Sequence, residues 1–280
     1  MPFVTANGTD LYFERAGRGP RLCLVLGSNS TLDGSRLLVD QFVRHFDLVV
    51  ADHRGMGRSG PVTGPYAMAT CAADALAVMD AVGWSTAGVC GISFGGMVAQ
   101  ELAVTAPDRV ERLALLCTSA GGAGGASYPL HELAGLGPDA RAAAFIPLLD
   151  TRFDDRWLST HPGDRNLVAA LAARNTPVTE ESEGGGAVRQ LEARRGHDVW
   201  DRLAAVSCPT LVASGRFDGI APPGNGRAIA SRIDGAELRI YDGGHAFLAQ
   251  DPAALPEIVA FLSAPLGVRA TAGHRGGGPR

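Results

Sequence analysis

Val89-Cys90-Gly91-Ile92-Ser93-Phe94-Gly95-Gly96-Met97-Val98-Ala99-Gln100-Glu101-Leu102 decides the fold. An apolar run ends at Gly91, a serine follows two residues later, and a helical pattern begins at once. Gly91-Ile92-Ser93-Phe94-Gly95 matches the pattern G-x-S-x-G. In a chain with 37 glycines the pattern alone says little, and its setting carries the weight. A turn this tight from buried strand to helix strains the serine backbone, so the residues two before and two after it must lack side chains. The hydroxyl of Ser93 then stands above the sheet edge, at the positive end of the following helix.

The rhythm on either side agrees. Residues 2–6 and 10–16, split by Asn7-Gly8, read as a β-hairpin. Arg21–Leu26, Asp47–Ala51, Thr86–Ile92 and Val110–Cys117 read as buried strands. Residues 33–45, 67–82 and 94–106 read as helices, the first through Leu37, Leu38 and Phe42, the last stopped by Pro107. Such β–α alternation predicts a mostly parallel sheet with helices on both faces. After Thr118 the rhythm breaks. Residues 121–127 have the composition of a flexible linker, and 128–204 are mostly helical in pattern, with an acidic and glycine-rich interruption at 180–186. The sheet rhythm resumes with Cys208–Ser214, a helix near 225–233, Glu237–Tyr241 and a helix near 252–263. These features predict a core of 1–120 and 205–264, a helical insertion at 121–204, and a flexible tail at 265–280.

The composition suits a globular chain: 280 residues, 46 % hydrophobic and 19 % charged. A net charge of −4 offers no basic surface for nucleic acid or anionic lipid. No run has the ~18–20 apolar residues that a membrane span needs. The N-terminus lacks the basic and apolar pattern of a secretory signal. Cys23, Cys71, Cys90, Cys117 and Cys208 are odd in number and without CxxC spacing, as expected of reduced thiols in a cytoplasmic protein. No metal or cofactor is expected. A small neutral organic molecule is the expected partner, and a homo-oligomer is compatible with the chain.

A serine nucleophile needs a base, and the base an orienting carboxylate. His245, in Gly243-Gly244-His245-Ala246-Phe247, follows the last strand. His53, in Asp52-His53-Arg54-Gly55, is its competitor, but precedes the serine in the chain and is read as structural. His45, His131, His161, His197 and His274 fall on helical or tail segments without metal-ligand spacing. Asp218, just past the strand ending at Ser214, completes the order Ser93, Asp218, His245. Asp242 lies too near His245 along one loop to orient it well. Backbone donors for an oxyanion are expected at Phe94 and in Leu26-Gly27-Ser28-Asn29-Ser30, at Asn29 or Ser28.

With these pieces in place, the chain resembles the α/β-hydrolase family over about residues 3–264. The matching stretches are Asp52-His53-Arg54-Gly55-Met56-Gly57-Arg58-Ser59, Gly91-Ile92-Ser93-Phe94-Gly95-Gly96, Pro107-Asp108-Arg109-Val110, Gly215-Arg216-Phe217-Asp218 and Gly244-His245. The resemblance implies an eight-stranded sheet and a helical cap between the sixth and seventh strands. Many members carry His-Gly where this chain has Gly27-Ser28-Asn29-Ser30, a loop similar to those of 3-oxoadipate enol-lactonases and polyketide methylesterases. The implied activity is cleavage of a carboxylic ester or lactone through an acyl-enzyme on Ser93. Phe145, Phe153, Trp157 and Trp200 are candidates to line the site. Two other readings share the fold: cofactor-free perhydrolase or haloperoxidase chemistry on the same triad, and non-catalytic ligand binding.

Overall fold

The computed structural model describes residues 2–62, 64–133, 135–174 and 185–265. Eight strands form one sheet: β1 (Phe3–Ala6), β2 (Thr9–Ala16), β3 (Arg21–Val25), β4 (Asp47–Ala51), β5 (Ala87–Ile92), β6 (Val110–Leu116), β7 (Thr210–Gly215) and β8 (Glu237–Tyr241). Their order is β1-β2-β4-β3-β5-β6-β7-β8. The β1–β2 and β2–β4 pairs are antiparallel, and the remaining pairs are parallel. The chain winds one way from β3 to β4 and the other way from β5 onward. β3 and β5 are neighbours, paired through Leu24↔Cys90. The crevice beyond the carboxyl ends of these two strands is where open α/β sheets bind ligands.

Both faces of the sheet are apolar, so its strands read as continuous hydrophobic runs. Along β3, Cys23 and Val25 face one core, with Val89, Leu113 and Val212. Leu22 and Leu24 face the other, with Leu48, Cys90 and Leu211. Helices α2 (Met68–Ala81), α3 (Phe94–Thr105) and α8 (Pro223–Arg232) cover the first face through residues such as Met79, Leu102 and Ile229. Helices α1 (Arg36–Val43), α9 (Phe247–Gln250) and α10 (Ala254–Ser263) cover the second through Val39, Phe42, Phe247 and Ile258. Leu37, expected on the buried face of its helix, is 77 % exposed. It sits two residues, roughly 200°, from Val39, so burying one turns the other to solvent.

Between β6 and β7 the chain forms α4 (Pro138–Leu149), α5 (Asp155–Thr160), α6 (Pro162–Arg174) and α7 (Gly186–Arg195). Residues 121–127, expected to be a flexible linker, are pinned instead. Asn225 donates to the Ala126 carbonyl at 3.0 Å, and the Trp200 ring lies against Gly124. Side chains from elsewhere fill the space that the glycines leave. The expected tail lies outside the described residues except for Pro265, and so do residues 180–184 of the acidic and glycine-rich interruption. The five cysteines are buried. Among the described residues no helix is long and apolar enough to cross a membrane.

Candidate active site

Ser93 leaves β5 and enters α3 with φ 55° and ψ −113°, in the positive-φ region that costs a residue with a Cβ roughly 1–3 kcal/mol. The neighbours enforce this. A side chain at Gly91 would collide with Gly95 and Ala99, and one at Gly95 with the carbonyls of Val25 and Leu26. The Ser93 N–H donates to the Leu116 carbonyl at 2.8 Å, and Thr118 Oγ1 donates to the Ser93 carbonyl at 2.8 Å. The side chain is therefore held upright at the sheet's carboxyl edge.

Two other loops reach the same edge. Past β7, Asp218 is buried, and its Oδ1 accepts the N–H groups of Ile220 and Ala221, both at 2.8 Å. Its Oδ2 lies 2.8 Å from Nδ1 of His245, which sits past β8. Nε2 of the same ring lies 2.9 Å from Ser93 Oγ. With a carboxylate on Nδ1, the ring keeps its proton there and presents Nε2 as an acceptor to the hydroxyl. The structure thus joins Ser93, Asp218 and His245 in one hydrogen-bonded line. Asp242 points away, 72 % exposed and paired with Arg152 at 3.0 Å. His53, the competing histidine, has Nε2 2.9 Å from the Leu26 carbonyl and its ring edge-on to Phe94, and burial pushes its pKa down.

The last residues of α4 and the segment after it clasp the loops that carry Asp218 and His245. The Leu148 carbonyl accepts from Gly219 N–H at 3.0 Å, the Leu149 carbonyl from His245 N–H at 2.6 Å, and Thr151 N–H donates to the Phe217 carbonyl at 2.9 Å. Asp150, fully buried, receives Arg152 and the Gln250 amide, while Gln250 Oε1 accepts the Gly244 N–H at 2.9 Å. Sequence reasoning missed this bracket. Asp150 ends a helix without any motif, and only the folded loops bring it to the histidine.

The loop after β3 lies against the serine: a Cβ on Gly27 would stand 3.6 Å from that of Ser93. Phe94 N–H is a first-turn donor of α3, which has no intrahelical partner. Asn29 N–H is engaged by Gln190 Oε1 at 2.9 Å. Ser28 N–H has no protein acceptor among the described residues. Of the two candidates in this loop, Ser28 is the one with a free donor. Phe145 and Trp157 pack on a satellite cluster of Leu149, Phe153 and Ile220, beside the acid loop. Trp157 is committed locally, stacked on His161 at 3.7 Å and donating its N–H to Asp164 at 2.8 Å. Trp200 packs against Gly124 and under Arg232.

Comparison with known proteins gives a consistent picture. The sequence profile of the alpha/beta hydrolase fold matches residues 20–252. A protein of Azorhizobium caulinodans, provisionally named carbamate hydrolase RutD, is 28 % identical over 92 % of this chain and 97 % of its own length. The 3-oxoadipate enol-lactonase 2 of Acinetobacter baylyi is 25 % identical, over 91 % and 94 %. The crystal structure of an enol-lactonase from Burkholderia xenovorans LB400 superposes with a TM-score of 0.77 and 26 % identity, covering 94 % of this chain and all of that one. On its strand order, its serine turn and this match across most of its length, the chain belongs to the alpha/beta hydrolase fold family and is a hydrolase.

Proposed function

We propose that the chain cleaves a carboxylic ester or lactone of a small organic molecule through an acyl-enzyme on Ser93. The observation that carries the reading is the unbroken contact line from Ser93 Oγ through His245 to Asp218, 2.9 and 2.8 Å. In this mechanism Ser93 Oγ attacks the carbonyl carbon while His245 Nε2 takes its proton. The carbonyl oxygen becomes an oxyanion, held by the N–H groups of Phe94 and Ser28. Each such donor is worth about 10²–10³ in rate. The C–O bond to the leaving alcohol then breaks, and His245 returns the proton to the departing oxygen. Water, deprotonated by His245, releases the acid from Ser93 and restores the hydroxyl. Asp218 stays ionised and holds the imidazole in one tautomer.

The helices between β6 and β7 serve as the cap over this site in the same reading. Five buried cysteines, odd in number and without CxxC spacing, support a reducing compartment such as the cytoplasm. A fluorophosphonate probe followed by mass spectrometry tests the proposal. Labelling is expected on Ser93, together with turnover of p-nitrophenyl acetate. Labelling that survives Ser93→Ala would overturn the assignment.

A further inference from the structure

Helix α7 starts against the loop after β4 and passes the loop after β3, with one face inward. Gly186, Gln190 and Arg194, four residues apart, are all buried on that face. Gly186 meets Gly55 so closely that neither backbone leaves room for a Cβ on the other. One turn on, Gln190 Oε1 holds Asn29 N–H at 2.9 Å. Another turn on, Arg194 Nε donates to Ser127 Oγ at 3.2 Å, and its charge is within reach of the Asp218 carboxylate.

Three nitrogens on this face have no acceptor. Gln190 Nε2 and Arg194 Nη1 and Nη2 are shielded from solvent and without a hydrogen-bond partner among the described residues. Other arginine forks among the described residues are filled. Arg54 grips Asp74 through 2.7 and 2.6 Å bonds, Arg202 grips Glu101 through 2.7 and 2.8 Å bonds, and Arg36 grips Glu14. Arg194 is 9 % exposed. Burial lowers its pKa to about 10, which leaves it charged at neutral pH. A buried charged donor whose N–H groups lack an acceptor is costly to the fold. Its fork fits the two oxygens of a carboxylate.

We propose that Arg194, with Gln190 beside it, recognises a free carboxylate on the substrate, so that the preferred esters or lactones are those carrying a second, anionic carboxyl group. This deepens the hydrolase reading and rests on it. Glu192, the acidic residue of α7, is engaged by Arg189 at 2.8 Å, and the Arg194 fork is buried within electrostatic reach of Asp218 rather than on the outer surface.

The test compares two substrate series on the full chain. One is the p-nitrophenyl monoesters of succinic, glutaric and adipic acids, each with a free carboxylate. The other is the neutral p-nitrophenyl butyrate, valerate and hexanoate. At least one anionic ester is expected to exceed its neutral counterpart about tenfold in kcat/KM, mainly through KM. Arg194→Met is expected to lower kcat/KM for that ester about tenfold more than for the neutral one, and Arg194→Lys to restore part of the difference. A wild type that favours the neutral series throughout, or an Arg194→Met that depresses both series equally, overturns the proposal. If neither series is cleaved and Ser93 is not labelled, the hydrolase reading has failed, and calorimetric titration with glutarate and adipate then reads the anion site alone. Binding by wild type that Arg194→Met loses supports the site. No binding, or equal binding, removes it.

Discussion

Two histidines stand at the carboxyl edge of the sheet, His53 after β4 and His245 after β8, each half-buried in the loop that follows its strand. They differ in what their nitrogens meet. His53 spends Nε2 on the Leu26 carbonyl and leans on Phe94. His245 has a carboxylate on one nitrogen and a hydroxyl on the other. Location at the edge therefore does not by itself suit a histidine to act as a base. Of these two rings, His245 alone has a carboxylate behind it and a hydroxyl in front, brought together by the β7, β8 and β5 loops.

The sharpest break of this comparison is to remove the contact line itself. Ser93→Ala and His245→Ala are each expected to lower p-nitrophenyl acetate turnover by about 10⁶-fold, with the circular dichroism spectrum unchanged. Asp218→Asn, which keeps the shape and loses the charge, is expected to cost about 10⁴ in kcat. Next comes the bracket behind the His245 loop. Gln250→Leu strips Gly244 N–H of its acceptor, and a base displaced by a fraction of an ångström is expected to lose about tenfold in kcat. If that variant matches wild type, the bracket does not position the imidazole.

His53→Ala belongs at the small end. It removes one hydrogen bond, worth about 0.5–1.5 kcal/mol, and an aromatic contact. A lower Tm with less than a tenfold loss of kcat is expected. A loss as large as that of His245→Ala would exchange the roles of the two rings. A third ring gives the smallest effect. Burial lowers the His197 pKa to about 4. The unfolded chain, with the ordinary value near 6.5, binds the proton more readily between about pH 6.5 and 4, so stability falls as pH drops through that window. Thermal melts at pH 7.5 and 5 are expected to converge partly in His197→Gln.

The central strands and the loops that follow them were legible because β3 to β7 are largely apolar runs of five to seven residues closed by glycine or a polar turn. The serine turn adds a local steric demand that glycine alone meets. Leu37 misled because an eight-residue helix shows too few turns for its face to be read. The segment 121–127 misled because glycine marks missing side chains, which mean freedom only if nothing else fills the gap. Trp157, a candidate to line the site as an apolar aromatic of the helical insertion, has its ring engaged by His161 and Asp164, contacts that no pattern in the sequence announces. On α7 the four-residue spacing Gly186, Gln190, Arg194 was in plain view. Which face of an arginine-rich helix turns inward is decided by Gly55 and Asn29, more than a hundred residues away.

The clasp at 148–151 has a mechanical implication. A segment hinged apart from its neighbours could shift without disturbing them, whereas this one shares three main-chain bonds with the loops that carry Asp218 and His245. The three stretches are strapped into a single mechanical unit, so a displacement of the segment would be passed on to the imidazole.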